Sequence, residues 1–194
     1  MNDELPKRTR PIPSRRPLEQ RLAHRPEVLE RLHQLADTLE QSVGDDCTAD
    51  QAEERVSAQV RQLAQEVLAQ WAYEANAHTQ AQVPTRHPAA IHHGKKRLRW
   101  QTTFGWVAVE EVQWRLGRRG PLLRPFCERA GVRPRGRSRR LQRALVDFGA
   151  EESFARAAVR VREHYGLDVA AEQVRQQTLI PTPSSSGSQS ATQD

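Results

Sequence analysis

The sequence predicts a mostly α protein with a small β-hairpin, an α+β arrangement of an N-terminal helical hairpin, a β-hairpin and a C-terminal helix-turn-helix region. Apolar residues recur at steps of three and four in the first and last parts of the chain, which is the helical period. Between residues 98 and 116 the step falls to two, as in a strand with one buried face. The aromatic fraction of 5% in 194 residues favours small helical pieces over a single large core.

Two segments precede the predicted β-hairpin. Residues 1–24 mix prolines with arginines and have no apolar period, so we expect a disordered basic arm, either solvated or lying along a DNA groove. Residues 25–80 have an acidic excess and two apolar stripes, which predict an acidic helical hairpin. Because its exposed positions are acidic or glutamine-rich, we expect this hairpin to pack or self-associate rather than to face DNA.

Capping residues predict where the two helices of this hairpin begin and end. Pro26 suits the first turn of the first helix, and Gly44 ends that helix. Thr48 and Gln51 form a capping box for the second helix. We expect the second helix to stop before Pro84, since the residue that precedes a proline is disfavoured in a helix.

Residues 81–136 are predicted to form a loop over residues 81–94, a β-hairpin and an arginine-rich connector. Two alternating stretches flank the turn Phe104-Gly105, and a change of parity across Glu110-Glu111 suggests a β-bulge. Two strands alone are marginally stable, so a third strand, a helix or a partner chain must cover their tryptophans. The tryptophans concerned are Trp100, Trp106 and Trp114.

Residues 137–179 are predicted to form a helical, helix-turn-helix-like domain. Ser138 caps a first helix that Gly149 ends, and Ser153 caps a second helix that Gly166 ends. A short last helix completes the segment. In a helix-turn-helix this last helix enters the DNA major groove, although an ordinary corner between two packed helices has the same layout.

The net charge of +6 conceals a strongly basic middle. Between residues 94 and 143 there are fifteen basic and three acidic residues, a local balance of +12. Arginine predominates there, and its planar guanidinium donates paired hydrogen bonds to phosphate. We therefore expect a nucleic-acid partner, with a solvated surface as the alternative. The residues predicted to contact DNA phosphates are Lys95, Lys96, Arg97, Arg118, Arg119, Arg135, Arg137, Arg139 and Arg140.

The last predicted helix exposes glutamine and arginine side chains. Both side chains can read base edges through paired hydrogen bonds. The residues predicted to contact bases are Gln173, Arg175, Gln176 and Gln177.

The sequence has no motif for nucleotide binding, nucleophilic catalysis or zinc binding. The chain has no Walker-type loop, GxGxxG motif or nucleophile elbow, and its histidines lack the cysteine pairs of structural zinc sites. We therefore expect no cofactor, no metal and no disulfide framework. No stretch approaches the roughly 18 apolar residues of a membrane span, and residues 1–16 lack the apolar centre of a signal peptide, so the expected location is the cytoplasm.

Several blocks together resemble the front half of bacterial insertion-sequence transposases of the ISKra group. The blocks are residues 50–56 and 70–72, residues 99–112 (RWQTTFGWVAVEEV), the Arg124-Pro-Phe sequence, residues 147–158 (DFGAEESFARAA) and residues 163–169 (EHYGLDV). The resemblance covers roughly residues 26–179. It implies a front region that binds transposon ends, followed by an RNase H-like domain whose three carboxylates hold two metal ions for strand transfer.

The family pattern stops near Leu179. Residues 180–194 are rich in serine and proline and are predicted to be a disordered tail, in which Asp194 is the only acidic residue. No catalytic carboxylate is therefore assigned to any position, and we expect a non-enzymatic product cut off before the DDE domain by a frameshift or an early stop. Many members of the group also have a zinc ribbon after the hairpin, and this chain lacks its cysteine pairs.

These expectations combine into a DNA-binding function in transposition, directed to transposon ends. The alternative is a self-associating regulatory protein that inhibits an intact transposase by mixed assembly. An RNA-binding protein is a third possibility, which charge alone does not separate from the first.

Overall fold

The computed structural model describes residues 16–179, and the chain divides into two compact units, Met1–Gln59 and Val60–Asp194. Helices and a small sheet follow one another as expected for a mostly α chain with a small β part. The elements are α1 (Leu18–Leu22), α2 (Pro26–Gly44), α3 (Ala49–Arg86), β1 (Ala90–Thr102), β2 (Gly105–Leu116), β3 (Leu122–Leu123), α4 (Pro125–Ala130), α5 (Arg139–Glu151), α6 (Phe154–Tyr165) and α7 (Ala171–Leu179).

The first unit contains α1, α2 and the start of α3. Helix α1 lies inside the segment that we predicted to be a disordered arm, so that prediction is wrong for residues 18–22. The predictions for residues 1–15 and for the tail 180–194 lie outside the described residues. Pro26 occupies the first turn of α2, and the capping box before α3 forms in both directions between Thr48 and Gln51, as predicted.

The apolar stripe of α2 is only partly covered. Val28 is buried, whereas Leu39 and Val43 are 62% and 80% exposed. Val56, in the part of α3 that belongs to the first unit, is also exposed. Several apolar residues that the helical period places on one stripe are therefore exposed to solvent in this unit.

Helix α3 runs farther than the sequence predicted, because Pro84 lies within its last turn instead of ending it. A proline this close to the end of a helix removes one backbone hydrogen bond and leaves the rest of the helix intact. Val83 is buried, and this burial favours the helical position of the final turn. The predicted loop of residues 81–94 is correspondingly wrong at both ends, since β1 begins at Ala90.

Strands β1 and β2 form the predicted antiparallel hairpin around Thr103 and Phe104. The predicted bulge across Glu110-Glu111 is wrong: the pairing is continuous there, and the register shifts between His92 and Gly94. Alternation therefore continues along β2, and Glu111 takes the buried position that follows Val107 and Val109. Because Glu111 is charged, the sequence did not indicate that this position of β2 faces the core.

The buried carboxylate of Glu111 fastens α4 to the sheet. Its oxygens accept hydrogen bonds from the Cys127 backbone N–H at 2.9 Å and from the Arg124 Nε at 3.2 Å. Burial, followed by the hydrogen bond to Glu111 and its negative charge, raises the pKa of the Cys127 thiol to about 12. Cys127 is thus protonated at neutral pH, so it is a packing residue rather than a nucleophile.

The outer edge of β2 is covered by amide side chains of α3. The amide nitrogens of Gln65, Asn76 and Gln80 donate to the carbonyl oxygens of Trp106, Glu110 and Val112 at 3.0–3.2 Å. Unpaired strand edges invite aggregation, and side chains that bind their carbonyls prevent it. Gln65, Asn76 and Gln80 are therefore structural, and α3 contacts Trp100 and Trp114 but leaves Trp106 uncovered.

Each of the three tryptophans of the hairpin has its own environment. Trp100 is buried in a core with Phe126, whose ring centroid lies 6.1 Å away. Trp114 donates its indole N–H to the Gln80 side chain at 2.7 Å. Trp106 stays 42% exposed on the opposite face.

Helices α5, α6 and α7 pack around one core in the order predicted for a helix-turn-helix. Its buried members are Leu141, Leu145, Ala157, Val161, Leu167 and Val174. The Ser138 and Ser153 hydroxyls cap α5 and α6, and Gly166 ends α6 in the left-handed conformation, as predicted. Gly149 does not end α5 as predicted; it lies inside that helix where α7 crosses closest.

Substitution of Gly149 tests this close crossing. A Cβ on Gly149 would overlap the Thr178 hydroxyl and lie 3.0 Å from Val174 Cγ1. We expect Gly149→Ala to lower the free energy of unfolding by about 1–2 kcal/mol, because overpacking outweighs the better helix propensity of alanine. Thermal unfolding followed by circular dichroism measures this loss.

Gly44→Ala is the matched control, since a Cβ at Gly44 has no neighbour within 4 Å. We expect it to change stability by less than about 0.5 kcal/mol. An equal melting temperature for Gly149→Ala and Gly44→Ala would contradict the packing described for α5 and α7.

Candidate nucleic-acid interface

The arginine-rich connector is bound along the free edge of β1. Arg135 N–H donates to the Arg99 carbonyl at 2.6 Å, Gln101 N–H donates to the Gly136 carbonyl at 2.9 Å, and Ser138 N–H donates to the Gln101 carbonyl at 2.8 Å. Gln101 and Arg137 form a parallel bridge at the same place. These hydrogen bonds hold the connector beside the end of β1 that leads into the hairpin turn.

Arg135 adopts a left-handed backbone conformation with φ of 57°. It is the one residue other than glycine with positive φ among the described residues, and such a conformation is uncommon for a side chain like arginine. The short bond from its N–H to β1 holds it there. The connector therefore keeps an arginine where glycine or asparagine would suit the backbone better.

Five arginines lie in or directly after this docked connector, and we call them the tip cluster. Its members are Arg133, Arg135, Arg137, Arg139 and Arg140. Arg139 and Arg140 open α5, where unpaired N–H groups and the helix dipole also favour anions. Four of the five, all except Arg135, line one cleft of about 660 Å³.

The tip cluster lacks counterions. Among the described residues no carboxylate forms an ion pair with any of its five members, whereas Arg124, Arg160 and Arg175 each pair with a glutamate. Burial lowers the pKa of Arg137. Its buried Nε also has no hydrogen-bond partner. The cluster therefore carries positive charge that an external anion can neutralise.

The basic residues of β1 add positive charge along the strand, with Arg97 and Arg99 on the face opposite the buried Leu98 and Trp100. Arg97 is exposed, and the Arg99 guanidinium lies 4.8 Å from the centroid of the Trp106 ring. Lys95 is exposed but lies 3.5 Å from a carboxylate oxygen of Glu110, and Lys96 is exposed at a position of opposite parity. Of this group, Arg97 and Arg99 thus lie nearest along β1 to the backbone groups that bind the connector.

Arg118 and Arg119 are not brought to the tip cluster. They follow β2 at the open end of the hairpin, where Gly117 N–H donates to the Ala89 carbonyl. Ala90 and Gln101 lie eleven residues apart on β1, which corresponds to on the order of 35 Å along a strand. The predicted phosphate contacts are therefore not brought together. Arg118 and Arg119 lie at the open end of the hairpin, the connector arginines lie at the turn end, and Lys95, Lys96 and Arg97 lie midway along β1.

Three of the four predicted base-reading residues on α7 form hydrogen bonds with neighbouring residues of the chain outside the predicted set. Glu172 accepts two hydrogen bonds from the Arg175 guanidinium, at 2.7 and 2.8 Å, and one from Gln176 at 3.0 Å. Arg175 lowers the pKa of Glu172, and Glu172 raises the pKa of Arg175. Gln173 accepts the Ala170 N–H as a helix cap, and Gln177 is half-buried. Arg175 and Gln176 are therefore the exposed members of the predicted set.

Sequence reasoning missed the aromatic side of the cleft. Trp71 on α3 and Phe104 in the hairpin turn line it together with the arginines. Trp71 falls on the apolar stripe of α3, so its spacing predicts a core residue, yet it is 47% exposed. A half-exposed tryptophan at a core position is recognised only when the neighbouring elements are known.

Comparison with known proteins adds no family assignment. No family model matches the chain, and no curated protein sequence matches it. Among residues 16–179 there is no group of three metal-ligating His, Cys, Asp or Glu residues. No helix in that part of the chain is long and apolar enough to cross a membrane.

Replacement of Arg135 separates its charge from its backbone strain. Asparagine tolerates the left-handed conformation better than arginine does, so we expect Arg135→Asn to keep or slightly raise the melting temperature. If Arg135 contacts a DNA phosphate as predicted, the substitution makes the slope of log affinity for duplex DNA against log salt shallower by about 0.9. Fluorescence anisotropy over a range of salt concentrations measures the slope. Arg135→Lys keeps the charge and is expected to keep the slope; an unchanged slope for Arg135→Asn would exclude Arg135 from the interface.

Proposed function

We propose that this chain is the DNA-binding part of a bacterial insertion-sequence transposase and that it recognises transposon ends. The observation that carries the proposal is the tip cluster, five arginines without counterions among the described residues. The resemblance of residues 26–179 to the front half of ISKra-group transposases is consistent with it. The proposed role is binding, in the cytoplasm where bacterial DNA lies, rather than catalysis.

The phosphate backbone supplies most of the affinity in this proposal. Each phosphate that an arginine neutralises releases condensed counterions from the DNA. Arg139 and Arg140 lie on the cleft side, and Arg97 and Arg99 lie on the opposite face of β1, so a phosphate strand that contacts both pairs passes around the free edge of β1. Arg118 and Arg119 lie on the order of 35 Å along the hairpin, close to the rise of one turn of B-DNA.

Helix α7 is the proposed source of sequence recognition. Arg175 and Gln176 must leave Glu172 to reach base edges, and an exposed ion pair stabilises by only about 0–1 kcal/mol. A guanine that accepts two hydrogen bonds from Arg175 can compete with Glu172 for the guanidinium. At a DNA sequence without a guanine in this position, Arg175 stays paired with Glu172 and makes no base contact.

Salt-dependent binding to the terminal repeats of the element tests the proposal. We expect Arg139→Gln combined with Arg140→Gln to weaken binding and to reduce the slope of log affinity against log salt by about 2, because two phosphate contacts disappear. Gel shifts or fluorescence anisotropy at several salt concentrations give this slope.

Arg55→Gln is the control, since Arg55 lies in the acidic first unit and pairs with Asp45 at 2.9 Å. We expect it to leave the slope unchanged. Binding of the unmodified chain that is indifferent to salt, or equal slopes for the double variant and the control, would contradict the proposed interface. Competition between duplex DNA and RNA separates DNA binding from RNA binding.

Self-association is the second candidate function, and the exposed apolar residues of the first unit favour it. Leu39, Val43 and Val56 offer apolar surface that a second copy of the chain can bury. Size-exclusion chromatography with light scattering distinguishes the two functions. A dimer without affinity for DNA supports the second, and a monomer that binds DNA supports the first.

A further inference from the structure

The cleft beside the tip cluster lies between α3, the hairpin turn and the start of α5. Its volume of about 660 Å³ is within the range of small-ligand sites, about 300–1,000 Å³. The residues that the argument uses are Trp71, Phe104, Arg133, Arg137, Arg139 and Arg140. All of them belong to the second unit.

The charge of the cleft selects an anion. Its lining contains four arginines and no aspartate or glutamate. Arg137 is half-buried, and its buried Nε has no hydrogen-bond partner among the described residues, so this N–H is available to an acceptor in the cleft. A phosphate oxygen is a strong acceptor for such a group.

The aromatic side of the cleft selects a planar, apolar surface. Trp71 keeps 47% of its surface exposed, and its ring centroid lies 6.2 Å from that of Phe126 in the core, which holds the indole in place. Phe104 lies in the turn on the same cleft. Fixed aromatic rings beside arginines are the combination that binds single-stranded nucleic acid, because every base has a face that can stack.

We propose that this cleft binds an unpaired nucleotide at the end of a DNA duplex, with its base against Trp71 and its phosphate against Arg137 and Arg139. The inference rests on the proposed function and names the form of DNA that the site prefers. Bases inside a duplex are stacked on both sides, so they reach a cleft of this kind only when they are unpaired. Duplex DNA alone would contact the arginines through its phosphates and leave the aromatic side of the cleft, at Trp71 and Phe104, empty.

The test compares a short blunt duplex with the same duplex carrying a few unpaired thymidines, in separate 3′ and 5′ versions. Fluorescence anisotropy measures the affinity of the full chain for each probe. We expect one of the two overhangs to bind about tenfold more tightly than the blunt duplex, the typical contribution of one stacked base.

Paired variants locate the effect. We expect Trp71→Ala to abolish the preference for the overhang while the affinity for the blunt duplex is unchanged, and Trp71→Phe to retain most of it. Tyr73→Ala is the matched control, because Tyr73 is an exposed aromatic residue on the same helix that does not line the cleft. If circular dichroism shows that Trp71→Ala is unfolded, Arg137→Gln replaces it as the test variant, with Arg162→Gln as its control. We expect Arg137→Gln, but not Arg162→Gln, to abolish the preference for the overhang.

The outcomes separate this inference from the proposed function. Equal affinity of the unmodified chain for the blunt duplex and both overhangs overturns the nucleotide cleft and leaves DNA binding intact. A preference that survives Trp71→Ala, or Arg137→Gln in the second series, also overturns it. Absence of binding to all probes at low salt overturns the proposed function itself.

Discussion

Three backbone hydrogen bonds between the connector and the edge of β1 determine where the positive charge of this protein lies. The donors and acceptors are the main-chain groups of residues 99, 101, 135, 136 and 138. Each such bond contributes only about 0.5–1.5 kcal/mol of net stability. Their importance is geometric: they hold an arginine- and proline-rich segment, which has little apolar surface of its own, at one end of the sheet.

The arginines of the chain divide into two kinds according to their partners. Arg124 pairs with the buried Glu111, and Arg160 bonds to both Glu151 and Glu152, so each fastens one element to another. The tip cluster has no such partner among the described residues. Crowded like charges repel one another and destabilise the folded chain unless an anion lies between them. A phosphate backbone supplies anions at the spacing of a polymer, and this is the physical basis of the proposed function.

Local signals in the sequence predicted the local structure correctly. The serine caps of α5 and α6, the capping box of Thr48 and Gln51, and the glycine that ends α6 are each determined by residues within one helical turn. The β-hairpin was equally evident, because alternation around Phe104-Gly105 has no helical explanation. The basic segment was evident too, since it depends on composition alone.

The features that the sequence did not reveal depend on contacts between distant residues. From the sequence, the charge of Glu111 predicts a surface position, because its partners Arg124 and the Cys127 N–H are distant along the chain. Assigning Glu111 to the surface led to the wrong prediction of a bulge at Glu110-Glu111. The sequence alone predicts that Gly149 ends a helix, whereas the structure shows that the glycine makes room for α7. Likewise, Trp71 became a candidate for binding only when the hairpin turn and α5 left one side of its ring open.

Backbone hydrogen exchange measures the docking of the connector most directly. If the connector is bound to β1, the amide protons of Gln101, Arg135 and Ser138 exchange slowly in the DNA-free protein, as do those between β1 and β2. Exchange of these three amides at the rate of an unstructured peptide, while the β1–β2 amides stay protected, would show that the arginines are not held together and would contradict the account.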